Sequence, residues 1–228
     1  MEYSSNNSTW STTIPTGTTA SNYTSYWRII GDSNHNDKGS TSIVTRISAK
    51  TVSSPTILLN PSSYTYSGGQ CKPTPTVKDG DTVISSIEYT VSYENNINAG
   101  TTAKCIITDN EGGNYIISGD ITFTINKVTP TVTAPTAKTL TYTGEDLVLA
   151  NAGSTNWGTL QYASSSTGTY STSIPTGKNA GTYEVWYKVV GNSNVNDVSA
   201  NKITVTIAQA DMTYTAPTAR SLTYDINA

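Results

Sequence analysis

Asn179-Ala180-Gly181-Thr182-Tyr183-Glu184-Val185-Trp186-Tyr187-Lys188-Val189 is the stretch on which the fold turns. Beyond its small Asn-Ala-Gly bend, Tyr183, Val185, Tyr187 and Val189 take one set of alternate positions and Thr182, Glu184, Trp186 and Lys188 the other, the period of a strand buried on one face. Ile203, Val205 and Ile207 continue the theme. So do Tyr89, Val91 and Tyr93 against Glu88, Thr90 and Ser92, and Ile121, Phe123 and Ile125 against Thr122 and Thr124. No amphipathic helical period competes. The bend also has the spacing of a tyrosine corner, in which the Tyr183 hydroxyl ties down the turn into its strand. An earlier copy keeps Ala20 and Tyr23. The middle one has Thr102 at the tyrosine position, so that corner must be held otherwise.

Working outward, the chain repeats itself. Ser11-Thr12-Thr13-Ile14-Pro15-Thr16-Gly17 returns as Ser171-Thr172-Ser173-Ile174-Pro175-Thr176-Gly177, and Gly31-Asp32-Ser33-Asn34-His35-Asn36-Asp37 returns as Gly191-Asn192-Ser193-Asn194-Val195-Asn196-Asp197. A diverged copy lies between them, with Asn98-Ala99-Gly100-Thr101 answering Asn179 to Thr182. The period of about 80 residues suits a small domain rather than a solenoid unit. Thr131 to Tyr142 recurs as Thr213 to Tyr224. The repeats divide the chain into a truncated module at 1–50, complete modules at 51–129 and 130–210, and the start of another at 211–228. Met1-Glu2-Tyr3 aligns with Leu160-Gln161-Tyr162 after a one-residue gap, which reads as an internal methionine of a longer chain. The rival reading is a subunit that lacks its first strands and donates its last ones to a neighbour, building a head-to-tail fibre. That donation is incomplete, because the tail has no equivalent of Leu147-Val148-Leu149.

Composition narrows the class. The 228 residues are 35% hydrophobic and only 13% charged, with serine, threonine and asparagine in place of the usual lysine and glutamate surface. Fifteen tyrosines stand against one phenylalanine, as suits strands whose rings are buried and whose hydroxyls reach an edge. A net charge of −3 with scattered basic residues leaves no electrostatic footprint for nucleic acid. No apolar run is long enough to insert in a membrane. Turn clusters such as Asp79-Gly80-Asp81, Glu111-Gly112-Gly113-Asn114 and Gly191-Asn192-Ser193-Asn194 recur every ten or so residues. With about seven short strands per module, they predict all-β, Greek-key β-sandwiches in tandem.

Tyr66-Ser67-Gly68-Gly69, Val77-Lys78-Asp79-Gly80, Glu88 to Thr101 and Gly113-Asn114-Tyr115 resemble the bacterial immunoglobulin-like tandem repeats of large surface proteins, including the MBG-type group. Ser171 to Gly177 and Val189 to Asn194 resemble a sister repeat. The resemblance implies an immunoglobulin-like fold, an extracellular, cell-surface or secreted location, and a stalk or spacer role without catalysis. In such a fold Cys71 and Cys105 take places from which a disulfide bridges the sheets, provided one residue is inserted so that Ala103, Cys105 and Ile107 face inward. The alternative is two buried thiols acting as small hydrophobes.

Candidate chemistry is sparse. Asp32, Asn34 and Asn36 have the alternate spacing of calcium ligands, but Asp37 stands where such a loop needs glycine and no acidic residue closes it. An ordinary hairpin loop is expected, with no metal and no cofactor. His35, the only histidine, answers Val195, so it carries no acid-base role. Glu145 and Asp146 are strand neighbours and point to opposite faces. Tyr26 and Trp186 fall on the solvent side of their strands. They could form a platform for a sugar, making a carbohydrate-binding adhesin module the rival function, or simply cover their own sheet. Ser48-Ala49-Lys50, Asn126-Lys127-Val128 and Ala208-Gln209-Ala210 follow last strands without a flexible tether, which predicts a semi-rigid rod. The expected partners are neighbouring modules of the same or adjacent chains, and surface glycans or proteins.

Overall fold

The computed structural model describes residues 1–224 and residue 226. The described residues are all-β: strands from Glu2 to Ala208, no α-helix, and one 3-10 turn at Ser86–Glu88. None of them forms a helix long and apolar enough to cross a membrane. The chain divides into two compact units, Met1–Val128 and a second beginning at Thr129.

The first unit opens with an antiparallel sheet of β1 (Glu2–Ser4), β2 (Ser21–Ile29) and β3 (Lys38–Ile47), in that order. After Ser48-Ala49 the chain enters β4 (Lys50–Val52), then β5 (Thr56–Asn60), β6 (Ser63–Thr65), β7 (Thr74–Asp79) and β8 (Thr82–Val83). β9 (Tyr89–Glu94), β10 (Ala103–Asp109) and β11 (Tyr115–Asn126) complete the unit. One sheet runs β4-β11-β10-β9, with β6 also on β11, and a second runs β5-β7-β8. Their apolar faces meet where Ile57 and Val77 pack with Val52, Cys105, Ile107 and Ile117. The period of two in Tyr89 to Tyr93 and Ile121 to Ile125 is this inward alternation.

Both thiols are free, so the bridge expected between Cys71 and Cys105 is not formed. Cys71 lies in the loop between β6 and β7 rather than on an early strand. Its N–H donates to the Asn96 carbonyl (2.7 Å) and its carbonyl accepts from Asn96 Nδ2 (2.9 Å). It packs with Ala99, Ala103, Phe123 and Ile125, a cluster separate from that of Cys105. Burial pushes both thiols above their ordinary pKa, which keeps them neutral. Ala103, Cys105 and Ile107 do share the inward face of β10 while Lys104 turns out to Asp120. The middle corner, lacking its tyrosine, is held by the Thr101 hydroxyl, which bonds the carbonyls of Asn98 (2.8 Å) and Asn95 (3.0 Å).

In the second unit, β12 (Val132–Thr133), β13 (Thr136–Ala137), β14 (Leu140–Thr141), β15 (Leu147–Val148), β16 (Ala150–Asn151) and β17 (Ser154–Thr155) are all two-residue pieces. Pro130, Pro135 and the glycines among them remove backbone donors and stiffness, which keeps each ladder short. β18 (Thr159–Ala163), β19 (Thr176–Gly177), β20 (Gly181–Val190) and β21 (Val198–Ala208) follow. The principal sheet is β14-β21-β20-β18, with β14 parallel to β21; β12-β17, β13-β16 and β15-β19 pair beside it. Residues 211–224 form no strand. Asp225, Asn227 and Ala228 of the expected further module lie outside the described residues.

Candidate functional site

Two copies of one sheet can be compared atom by atom. In β20–β21, Tyr183 lies opposite Val205 and Val185 opposite Ile203, with a register shift between Tyr187 and Val189. In β2–β3, Tyr23 lies opposite Thr45 and Ser25 opposite Ile43, with the same shift between Trp27 and Ile29. Tyr3 sits across from Trp27 as Tyr162 does from Tyr187. The corners match as well. The Tyr183 hydroxyl donates to the Asn179 carbonyl (2.8 Å) and accepts from its N–H (3.2 Å); Tyr23 does the same with Thr19 (3.0 and 3.2 Å). Each ring lies on a glycine, and a Cβ at Gly17 or Gly177 would come within 2.4 or 2.8 Å of it. Only glycine admits that approach.

The covers differ. In the second unit Leu149 and Ala150 are buried on the sheet, with Leu140, Leu147 and Ile174 packed against the same cluster. Leu147 pairs with Gly177, the Leu149 N–H bonds the Pro175 carbonyl (3.2 Å), and the Tyr162 hydroxyl accepts the Gly153 N–H (3.0 Å). In residues 1–47 nothing takes these places. Ser4 is the one buried residue among them. Ile29 is 39% exposed where its counterpart Val189 is 1% exposed, and Ile43 is 58% exposed where Ile203 is half-buried. A cavity of 240 Å³ lies over the face, lined by Tyr3, Ile14, Tyr23, Trp27, Ile43 and Ile47 with Pro15, Thr16 and Gly17 at its edge. Those are the counterparts of the residues that Leu140, Leu147 and Leu149 cover in the closed copy. Ser25 and Thr45 stand where the closed copy has Val185 and Val205, so the open floor is also more polar.

A second feature joins this sheet to the rest of the first unit. Buried Glu88 accepts the Asn114 N–H and Nδ2, both at 2.8 Å, and Asn114 Oδ1 accepts the Ala20 N–H at 2.7 Å. The Asn114 carbonyl takes the Lys50 N–H at 2.8 Å. Lys50 also pairs with Asp79, whose carboxylate holds the ammonium pKa above its ordinary value. Asn114 thus bonds the first sheet, at Ala20 just before β2, and β4, at Lys50 just after the Ser48-Ala49 link. Beside it lies a cavity of 360 Å³ lined by Ala20, Ile47, Ser48, Ala49, Asn110 and Gly113 among others. The turn cluster containing Asn114 is legible in sequence, but the clamp is not, because its partners are 26 and 94 residues away.

The remaining candidates have local partners. Trp186 and Tyr26 are both half-buried. The Trp186 indole donates to Glu184 (2.8 Å), and the Lys202 ammonium stands 5.3 Å from its ring centre. Lys202 and Trp186 together hold the Glu184 carboxyl below its ordinary pKa. Cation–π contacts that sequence reading missed recur in both copies, Arg28 over Trp10 (4.4 Å) and Lys188 over Tyr170 (4.3 Å). In the Asp32 loop, Oδ1 of Asp32 takes the Asn34 N–H (2.8 Å) and His35 Nδ1 (2.7 Å), while Asp37 caps the Gly31 N–H (2.7 Å). Asn192 and Asp197 make the same backbone bonds. Among the described residues no group of three or more His, Cys, Asp or Glu is placed to hold a metal ion. No protein-family model matches this chain, and no curated protein is detectably similar to it in sequence.

Proposed function

We propose that the chain is a run of immunoglobulin-like Greek-key sandwiches of the bacterial surface-repeat kind, serving as a non-catalytic spacer in an extracellular or cell-surface protein. The observation that carries this reading is the Asn114 clamp. A spacer has to transmit position from one module to the next, and Asn114 binds Ala20 on one side of a two-residue link and Lys50 on the other. Asp32 and Asp37 are engaged in turns, and Glu184 in a surface pair. Sparse charge and a serine-, threonine- and asparagine-rich surface suit a secreted location.

The test is 15N relaxation on the full chain. Residues 1–47 and 50–126 should tumble with one correlation time, and Asn114→Ala should uncouple them. Independent tumbling in the native chain would overturn the spacer reading. A glycan array run with native protein and Trp186→Ala decides against the adhesin alternative if nothing is retained, and for it if retention is lost only in the variant.

A further inference from the structure

We infer that the free edge of β9, in the middle copy, is a docking site for an extended serine- and threonine-rich segment of a partner protein, which joins the sheet as an added antiparallel strand. The other two copies show what belongs there. Tyr162 of β18 gives its N–H to the Ser171 carbonyl (2.7 Å) and takes the Ser171 N–H on its own carbonyl (2.9 Å), in an antiparallel bridge. Tyr3 of β1 does the same with Ser11, at 2.7 and 3.0 Å. Val91 is their counterpart, since it lies opposite Ile107 as Tyr162 lies opposite Tyr187. The pairs Ala103–Phe123 and Tyr183–Val205 fix that alignment, each four residues earlier along its strand.

The middle copy has no residues of its own to fill this place. Residues 95–102 alone join β9 to β10, where residues 164–180 run between β18 and β20. β9 therefore ends its sheet. The Glu88 carbonyl faces β10, accepting the Asn110 N–H at 3.0 Å, and alternation then turns the N–H and C=O of Val91 and Tyr93 to the outer edge. Among the described residues no main-chain bond from beyond the sheet reaches Val91. β9 contains no proline and pairs with β10 without a bulge, the devices that blunt such edges. A groove of 260 Å³ lies along it, lined by Gln70, Lys72, Val91, Ser92, Tyr93 and Asn96. Its far wall is set in advance, because the Tyr93 hydroxyl donates to the Pro73 carbonyl (2.7 Å) and Asn96 Nδ2 to the Cys71 carbonyl (2.9 Å).

Gln70, Lys72 and Ser92 make the groove polar, which suits hydroxyl side chains such as those of Ser11-Thr12-Thr13 and Ser171-Thr172-Ser173 in the filled copies. Main-chain bonds to Val91 supply the affinity and the hydroxyls the fit. A second copy of this chain is not the occupant. Its own segments are already bonded at Tyr3 and Tyr162, and pairing two six-residue β9 edges buries far less than the roughly 1,200 Å² of a stable interface. This inference does not depend on the spacer reading, since either can fail alone.

Titration of the 15N-labelled full chain with a synthetic peptide of the sequence of residues 169–177 tests it. Shift changes and slowed amide exchange should centre on Val91, Tyr93 and Lys72. N-methylating the peptide at the serine that matches Ser171 removes the donor to the Val91 carbonyl and should weaken binding about tenfold. Val91→Pro removes the outward N–H and should do the same, while the ladder to β10, which does not use that N–H, is kept. The peptide change leaves the protein untouched, so the test stands even where Val91→Pro disturbs the fold. Alanine at the peptide's serines and threonines should weaken binding severalfold, and equal binding overturns the assignment of a hydroxyl-rich segment. Absence of shifts along β9 in excess peptide overturns the inference, as does binding that survives N-methylation. Shifts centred on Tyr3 or Tyr162 also overturn it, since the peptide would then be displacing a built-in segment.

Discussion

Residues 1–47 and 130–208 build the same antiparallel sheet, with one register shift, one tyrosine corner and one loop cap in common, yet only the second has its apolar face covered. Strand pairing, corners and loop caps therefore need nothing from the cover, because their partners lie within the hairpin. Burial needs the fragments that run from Val132 to Thr155, which add few ladder bonds but bring Leu140, Leu147 and Leu149 onto the sheet. Within residues 1–47 the apolar side chains remain, but no such fragment among the described residues lies over them. Each fully buried valine or leucine is worth about 1.5–3 kcal/mol, so the two sheets differ mainly in this term.

The most severe break in the contrast is Leu149→Ala. Leu149 is 1% exposed. Its truncation should cost about 2–5 kcal/mol in chemical denaturation and make β20 and β21 exchange hydrogen as readily as β2 and β3. An unchanged second unit would mean that the cover does not stabilise the sheet. Next comes Asn114→Ala, which strands the buried Glu88 carboxylate and should cost about 1–3 kcal/mol, confined to the first unit. Thermal unfolding followed by residue-resolved NMR would show whether the loss is local.

Tyr183→Phe and Tyr23→Phe sharpen the likeness instead of the difference. Each removes one hydroxyl that both donates and accepts, at an expected cost of about 0.5–1.5 kcal/mol. The Tyr183 change should register in global stability and the Tyr23 change only in local exchange, because the latter sheet has little burial to lose. Smallest is a difference in acid response. Glu184 has its folded pKa depressed by Lys202 and Trp186, so its contribution is present above the ordinary carboxylate value and lost as pH falls through the folded one. Thr24 and Ser42 replace Glu184 and Lys202 in the open copy. Glu184→Gln should remove a slight acid destabilisation from the second unit and leave the first unchanged, as pH-dependent melting would show.

Much of this is legible in the chain itself. The alternation of Tyr183 to Val189 fixes which side chains share a face, and the four-residue spacing of Tyr183 from Asn179 suffices to place a corner. The two-residue strands are not legible, since Ala-Pro-Thr-Ala and Thr-Gly-Glu-Asp carry no usable period. Cys71 is a related case: alternation places it inward on an early strand, but Asn96 holds the residue in a loop. The cation–π pairs and the Glu88–Asn114–Ala20 bonds escaped because their members come from separate strands and loops.

By itself the sequence determined the all-β class and the repeat phase, along with the inward rows of each long strand, because these depend on neighbours two or four positions apart. Only tertiary structure decided which sheet is covered and what ties the first sheet to its neighbour. Burial and clamping depend on which distant segments arrive, and that is a property of space rather than of spacing.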